Sequence, residues 1–280
     1  MVTQPDRPKG RNLELSPCPV KQYLGARQIP VLSPERVNTP ESLGVLRALA
    51  PDLIVVVAYG QLLKPDLLAI PPLGCINVHG SLLPRYRGAA PIQWAVANGD
   101  AESGVTTMYM NAGMDTGDMI LKRIIPINDA DTGGRLHDKL SLVGATLLGE
   151  TVELIRNHCA PRTPQDDLQA TVAPKLRKSD GRLDWSLPAR ILHNRVRAFN
   201  PWPGSSCTMP GDAGKVLKVL ATRVESHEGA HGTPGTLLES SGEGPLILTA
   251  EQAIRLLEVQ PEGRKPMSGA AFLRGYTLKA

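Results

Sequence analysis

The feature that most constrains this chain is the continuous apolar, β-branched run Asp52-Leu-Ile-Val-Val-Val-Ala-Tyr59. Such a run reads as a strand buried on both faces of a parallel sheet. Gly74-Cys-Ile-Asn-Val-His79 reads as the next strand. Side chains two apart share a strand face, so Asn77 and His79 both project to one side at its carboxyl end, where ligand sites of open α/β sheets lie.

An amide and an imidazole in that place can hold a carbonyl oxygen and stabilise the negative charge that develops when an amine attacks it. A carboxylate beside an imidazole favours its charged form. Asp115, in the glycine-bounded loop Gly113-Met-Asp-Thr-Gly-Asp118 between two apparent strands, is the candidate. Each residue has a plainer use, because a strand-end Asn or His can satisfy backbone groups around a turn and an Asp between glycines is a common turn residue. Asp118 is expected to hold the loop's turn rather than to make a carboxylate pair with Asp115.

The run from Asn77 to Trp94, NVHGSLLPRYRGAAPIQW, carries a family pattern almost word for word. Further matches follow in family order: Thr3-Gln-Pro-Asp-Arg-Pro-Lys-Gly10, Met114-Asp-Thr-Gly-Asp118, Ala173-Pro-Lys-Leu176, Arg197-Ala-Phe-Asn-Pro-Trp-Pro-Gly204 and Phe272-Leu-Arg-Gly-Tyr276. On these motifs the chain closely resembles the methionyl-tRNA formyltransferase family of 10-formyltetrahydrofolate-dependent enzymes. The resemblance implies a doubly wound, Rossmann-like α/β formyltransferase domain followed by a small OB-like β-barrel domain. It implies formyl transfer from 10-formyltetrahydrofolate to the α-amine of methionine on initiator tRNA, with no metal and no protein nucleophile.

Residue by residue, the resemblance implies that Asn77 binds the formyl oxygen, His79 stabilises the oxyanion, and Asp115 pairs with His79 and helps manage the proton. The folate would meet Tyr59, Gly60, Gln61, Leu62 and Leu63 on one side, with Ser81, Leu82, Leu83 and Pro84 and the segment Met110 to Asp118 completing its site. The loop containing Arg7, Lys9 and Arg11 would reach the acceptor end of the tRNA, with arginine supplying delocalised charge suited to phosphate. The family carries further basic residues there, whereas this chain reads Asn12-Leu-Glu14. Lys175, Arg177, Lys178, Arg264 and Lys265, with Arg274, are further phosphate-contact candidates, set against a default of solvated surface.

Organisation along the chain fits two domains: 1–160 catalytic, 161–174 a proline-rich linker, and 175–280 a tRNA-binding domain. Thr39 and Pro40 start a helix with Leu43, Leu46 and Leu49 on one face. A second helix runs from Pro91 to near Asn98-Gly99. Leu136, Leu140, Val143, Leu147, Leu154 and Ile155 mark a long helix between Arg135 and Ile155. Beyond the linker, Val216-Leu-Lys-Val-Leu220 and Pro245-Leu-Ile-Leu248 read as strands of a small barrel or sandwich. Phe199-Asn-Pro-Trp-Pro203 either stacks on a base or packs at the domain junction.

The 280 residues are 41 % hydrophobic with a formal charge of +4, too mildly basic to establish nucleic-acid binding alone. Cys18, Cys75, Cys159 and Cys207 show no ligand spacing, and His227 and His231 lie among glycines, so no metal site or disulfide framework is expected. The cysteine usage, with no leader pattern and no apolar run of spanning length, makes a reducing cytoplasm the expectation, and a monomer is expected as a separate assignment. Family members begin about thirty residues earlier, and loss of those strands would expose apolar surface and unpaired edges. A start assigned too late is therefore expected, with a genuine truncation retaining only tRNA binding as the alternative, and a related formyltransferase acting on a small-molecule amine as a further one.

Overall fold

The computed structural model describes residues 1–9, 13–25, 27, 29–209, 212–226 and 232–276. In chain order the elements are β1 (Arg7–Lys9), β2 (Glu14–Ser16), α1 (Pro19–Leu24), α2 (Pro40–Ala48), β3 (Ile54–Val57), α3 (Pro65–Leu68), β4 (Cys75–His79), β5 (Arg87–Gly88), α4 (Pro91–Ala97), β6 (Glu102–Tyr109), β7 (Met119–Pro126) and α5 (Gly133–Arg156). They continue with β8 (Val172–Ala173), α6 (Ala189–Ala198), β9 (Ser205–Met209), β10 (Asp212–Glu225), β11 (Leu237–Glu239), β12 (Leu246–Leu248), β13 (Ala253–Pro261), β14 (Met267–Ser268) and α7 (Gly269–Gly275). Two compact units result: Met1–His79, Thr106–Lys122 and Thr146–Gln169 form the first, and Gly80–Val105, Arg123–Ala145 and Ala170–Ala280 the second.

In the first unit β4 is the pivot of a sheet ordered β3-β4-β6-β7. It pairs in parallel with β3 and antiparallel with β6, so the expected parallel sheet is mixed. Both faces of β4 are covered. Cys75 packs with Leu43 and Leu46 of α2 and with Leu63 and Leu67. Ile76, one residue on and facing the other way, packs with Ile120 and with Ile155 of α5. Helices on both faces are the doubly wound α/β arrangement.

The strand expected to be buried on both faces is half-buried. β3 lies at the end of the sheet order, and alternation turns Ile54 and Val56 into the α2 cluster while Val55 and Val57 are 40 % and 58 % exposed. A one-sided edge strand needs apolar residues on one face only, and the continuous run concealed which face that was. α2 starts as expected, with the Thr39 hydroxyl accepting Ser42 N at 3.3 Å and Pro40 in the first turn. Leu49, expected on its buried face, is instead the exposed C-cap.

The second unit holds a six-stranded antiparallel sheet ordered β11-β12-β13-β10-β9 with β14 on β13. No ladder closes this sheet into a barrel among the described residues. Its core joins Leu192 and Val196 of α6, Leu217 and Val219 of β10, Ile247, Ile254 and Leu256, and Phe272 of α7. Tyr276 stacks on Phe272 at 4.7 Å, which gives the Phe272 to Tyr276 motif a packing role. Phe199 is buried and meets Trp94 edge-to-face at 6.0 Å, whereas Trp202 is exposed.

β5 and β8 form a separate two-residue parallel pair. Gly88 has φ of +120°, and a Cβ there would stand 2.6 Å from the Ala173 carbonyl oxygen, so only glycine permits this approach.

Candidate active site

Asn77 and His79 stand on the same face of β4 as Cys75, beyond the point where the α2 cluster covers that face. The β6–β7 loop delivers Asp115 to them. His79 Nδ1 lies 3.7 Å from Asp115 Oδ2, and Asn77 Nδ2 donates to Asp115 Oδ1 at 3.5 Å. The His79 and Asp115 side chains are only 6 % and 16 % exposed, so their interaction is weakly screened. Three residues separated by up to 38 positions therefore converge.

The loop is held in several ways. Tyr109 N donates to Asp118 O at 2.8 Å and closes its base. Asn111 Oδ1 accepts Gly113 N at 3.0 Å and the Thr116 hydroxyl at 2.8 Å. Asp115 itself adopts φ of 55°, a left-handed conformation that Asp tolerates better than most residues. A Cβ on Gly117 would fall 1.8 Å from the Tyr109 carbonyl oxygen, so the loop passes too close to β6 for any side chain there.

Residues of the segment expected as a linker brace the same loop. Gln165 Nε2 donates to the carbonyls of Asp115 and Gly117, each at 2.8 Å. Thr163 and Met119 exchange backbone bonds of 2.8 and 3.0 Å. Arg162 sits 3.7 Å over the Tyr109 ring and 3.7 Å from Asp118 Oδ2. Sequence reasoning missed Arg162, Thr163 and Gln165 because a polar, proline-rich stretch carries no periodicity that marks a partner.

The Tyr59 to Leu63 segment leaves β3 with Gly60 at φ +81°. Gln4 Nε2 donates to Tyr59 O at 2.6 Å, and Asn38 Nδ2 to Leu62 O at 2.8 Å. Gln61 spends its side chain on Val37 N (2.9 Å) and Glu35 O (3.2 Å), so it fixes the segment. Leu63 is buried in the α2 cluster and Leu62 is exposed. The Tyr59 hydroxyl is buried with no hydrogen-bond partner among the described residues, and burial raises its pKa above the usual phenol value. An orphaned buried hydroxyl costs about 1–3 kcal/mol, which marks it as a group awaiting an acceptor or donor. In the second unit, Ser81 and Leu83 are fully buried, and Ser81 Oγ donates to Arg85 O at 2.7 Å.

Of the basic candidates, Arg7 forms an exposed 3.0 Å ion pair with Glu35. Arg11 lies outside the described residues, as do His227, His231 and the Lys9 side chain. Lys175, Arg177, Lys178, Arg264, Lys265 and Arg274 are all exposed. Among the described residues no three His, Cys, Asp or Glu side chains group to hold a metal, and no helix is long and apolar enough to cross a membrane.

Comparison with known proteins gives this geometry a family. The formyl transferase model matches residues 1–152 and the formyl transferase C-terminal domain model residues 175–277. The methionyl-tRNA formyltransferase of Desulforamulus reducens is 48 % identical over 278 residues, covering 99 % of this chain and 87 % of the relative. That of Geobacter sulfurreducens is 48 % identical over 279 residues, covering 100 % and 86 %. Among solved structures, HypX from Aquifex aeolicus in complex with tetrahydrofolic acid aligns with a TM-score of 0.61 at 20 % identity, over 91 % of this chain and 44 % of that one. An N-formyltransferase from Helicobacter canadensis aligns with a TM-score of 0.57 at 18 % identity, over 89 % and 80 %. At these identities the two structures speak for the fold alone. The full-length identity to the curated relatives does more: the chain belongs to the methionyl-tRNA formyltransferase family.

Proposed function

We propose that the protein transfers the formyl group of 10-formyltetrahydrofolate to the α-amine of methionine carried by initiator methionyl-tRNA. The observation that carries this reading is the convergence of Asn77 and His79 on Asp115 at the end of β4. The amine lone pair attacks the formyl carbon and the carbonyl electrons move onto oxygen. Collapse of the tetrahedral intermediate breaks the bond to the folate nitrogen, which takes up the proton the amine loses.

Asn77 has a second amide hydrogen beyond the one given to Asp115, and it donates this to the formyl oxygen. His79 donates to the same oxygen as its charge develops, which is where preorganised donors contribute most. Asp115 orients His79 and balances its charge while the proton moves. The folate is assigned to the segments Tyr59 to Leu63 and Ser81 to Pro84, with Gln61, Leu63 and Leu83 acting as supports. Residues 1–160 make the catalytic domain, 161–174 the connection and 175–280 the tRNA-binding domain. Arg7, Lys9 and Arg11 with Lys175, Arg177, Lys178, Arg264 and Lys265 contact tRNA phosphates. An aminoacyl-tRNA acceptor places the work in the cytoplasm, and the enzyme acts as a monomer.

The test is formyl-methionine production from the two substrates by the parent chain and by His79→Ala. Turnover is expected to fall by about 100-fold or more with tRNA affinity retained. Equal turnover of the two would remove His79 from the reaction.

A further inference from the structure

Within the second unit, the C-terminal end of α4 and one face of α6 enclose a cleft of about 620 Å³. Its wall carries Arg190, Arg195 and Arg197 from α6, with Asn98 and Asn194 beside them and Trp94 along one side. None of these residues belongs to the β4 site or to the folate segments.

Asp129 also lines the cleft, and it and Asp131 act on Arg197 electrostatically, so the three guanidinium groups are compensated only in part. Arg197 is 8 % exposed, and among the described residues its guanidinium is hydrogen-bonded to neutral oxygens: Asn194 Oδ1 at 3.1 Å, Asn128 O at 3.1 Å and Asp131 O at 3.4 Å. The Asp131 carboxylate is taken by Lys139, at 2.8 Å from both oxygens. Arg190 meets Asp129 at a loose 3.8 Å, with the Asp129 side chain 84 % exposed. Asp184 lies within coulombic reach of Arg195 and is itself committed to Ser186. A buried cation with only neutral acceptors is costly, and an anion beside it offsets that cost. His193 on the same helix registers the field: burial first, then Arg197 and Arg190, push its pKa below the usual imidazole value.

Asn194 adds a donor. Its Oδ1 is fixed by Arg197, which turns Nδ2 toward Gly99, where a Cβ would stand only 2.6 Å away. Gly99 therefore leaves room for the amide at the cleft wall. Three guanidinium groups and an oriented amide on a concave surface form a donor set matched to a tetrahedral oxyanion.

We propose that the α4–α6 cleft is a binding site for a phosphate group, with Arg190, Arg195 and Asn194 as direct donors and Arg197 as the buried charge behind them. Phosphate reaches such a site either as a free anion or nucleotide, or as a phosphodiester of RNA. The phosphodiester source rests on the tRNA-binding reading above, and the free-anion source does not.

The test is calorimetric titration of the full chain at low ionic strength with inorganic phosphate and with AMP, beside filter binding of tRNA. The double variant Arg190→Gln/Arg195→Gln removes the two more accessible donors, and Arg47→Gln, an exposed charge on α2 with no part in either site, is the control. Saturable phosphate or AMP binding that weakens about tenfold or more in the double variant, and not in the control, supports the site. If tRNA affinity falls in parallel and phosphate competes with tRNA, the source is a phosphodiester; if tRNA affinity holds, it is a free phosphate. Absence of saturable binding by either small anion, or equal binding by parent and double variant, overturns the proposal. Circular dichroism of the double variant separates lost binding from lost folding, and formyl transfer measured on the same samples keeps the two readings apart.

Discussion

The side-chain amide of Gln165 donates to the backbone carbonyl of Asp115 at 2.8 Å, and the same nitrogen reaches Gly117 O at 2.8 Å. One amide thus pins both ends of the tripeptide that presents the candidate carboxylate, fifty positions away in sequence. Asp115 stands at φ 55°, a conformation that costs energy for a non-glycine residue and persists where surroundings over-determine it. Gln165 is one of those surroundings.

Gln165→Ala is therefore expected to act on turnover rather than on substrate affinity. Each lost bond is worth about 1 kcal/mol, and loosening the loop lets Asp115 leave its 3.7 Å position from His79. A fall in kcat of about tenfold with KM for tRNA nearly unchanged is the expected steady-state result. An unchanged kcat would make Gln165 a surface residue without influence on the loop.

How much of this was legible in the sequence depends on the kind of information each residue carries. Asn77 and His79 were legible because strand parity puts residues two apart on one face, and Asp115 because glycines bracket it. Helices α2, α4 and α5 announced themselves through caps and apolar spacing. Gln165 and Arg162 were not legible, since their partners are fixed by tertiary contact and their own segment has no period. The exposed face of β3 was hidden for the opposite reason: an unbroken run of Val and Ile looks the same whether one face or two are covered. α6 was missed as well. Its charged residues dilute the apolar pattern, yet Leu192 and Val196 are buried and Arg197 is buried with them.

Asp115→Asn tests the charge separately from the shape. The variant keeps an oxygen able to accept from Asn77 Nδ2, a bond of 3.5 Å in the parent, but removes the negative charge facing His79. A loss of about 100-fold in kcat, with thermal stability and tRNA binding retained, is expected if charge balance at His79 matters to the oxyanion step. Parent-like turnover would reduce Asp115 to a loop residue.

The four cysteines should separate cleanly by reactivity. Burial pushes the Cys75 thiol up to about 11 and the Cys207 thiol up to about 12, and both are almost wholly enclosed. Cys159 is exposed, and Cys18 is partly exposed with its sulfur accepting from Lys21 N at 3.5 Å. The thiolate is the reactive form. A disulfide reagent at pH 8 should accordingly modify Cys159 and Cys18 in the folded protein, with Cys75 and Cys207 reacting only after denaturation, as peptide mapping would show. Equal labelling of all four in the native state would contradict the packing around β4 and β9.

Acid should weaken the second unit through Glu225. Arg255 is 8 % exposed and donates through Nε at 2.7 Å and Nη2 at 2.8 Å to the two Glu225 oxygens, while Glu239 takes a further 2.6 Å bond. These bonds from Arg255, with a smaller contribution from Arg223, hold the Glu225 carboxyl at about 2 against burial, which acts the other way. A carboxyl whose folded pKa lies below its ordinary value near 4.5 stabilises fully above that value, and the contribution is lost as pH falls from about 4.5 toward about 2. The side chain is 23 % exposed, so water screening brings the contribution to about 2 kcal/mol. Guanidinium denaturation of parent and Glu225→Gln at pH 7 and pH 3 is the measurement. The variant should be less stable at pH 7, because among the described residues it leaves the Arg255 guanidinium with Glu239 as its remaining carboxylate partner. The gap should narrow at pH 3, where the carboxyl of the unfolded parent has taken up its proton while the folded one is still largely ionised, and a gap of constant size would show that the ion pair does not govern the acid limb.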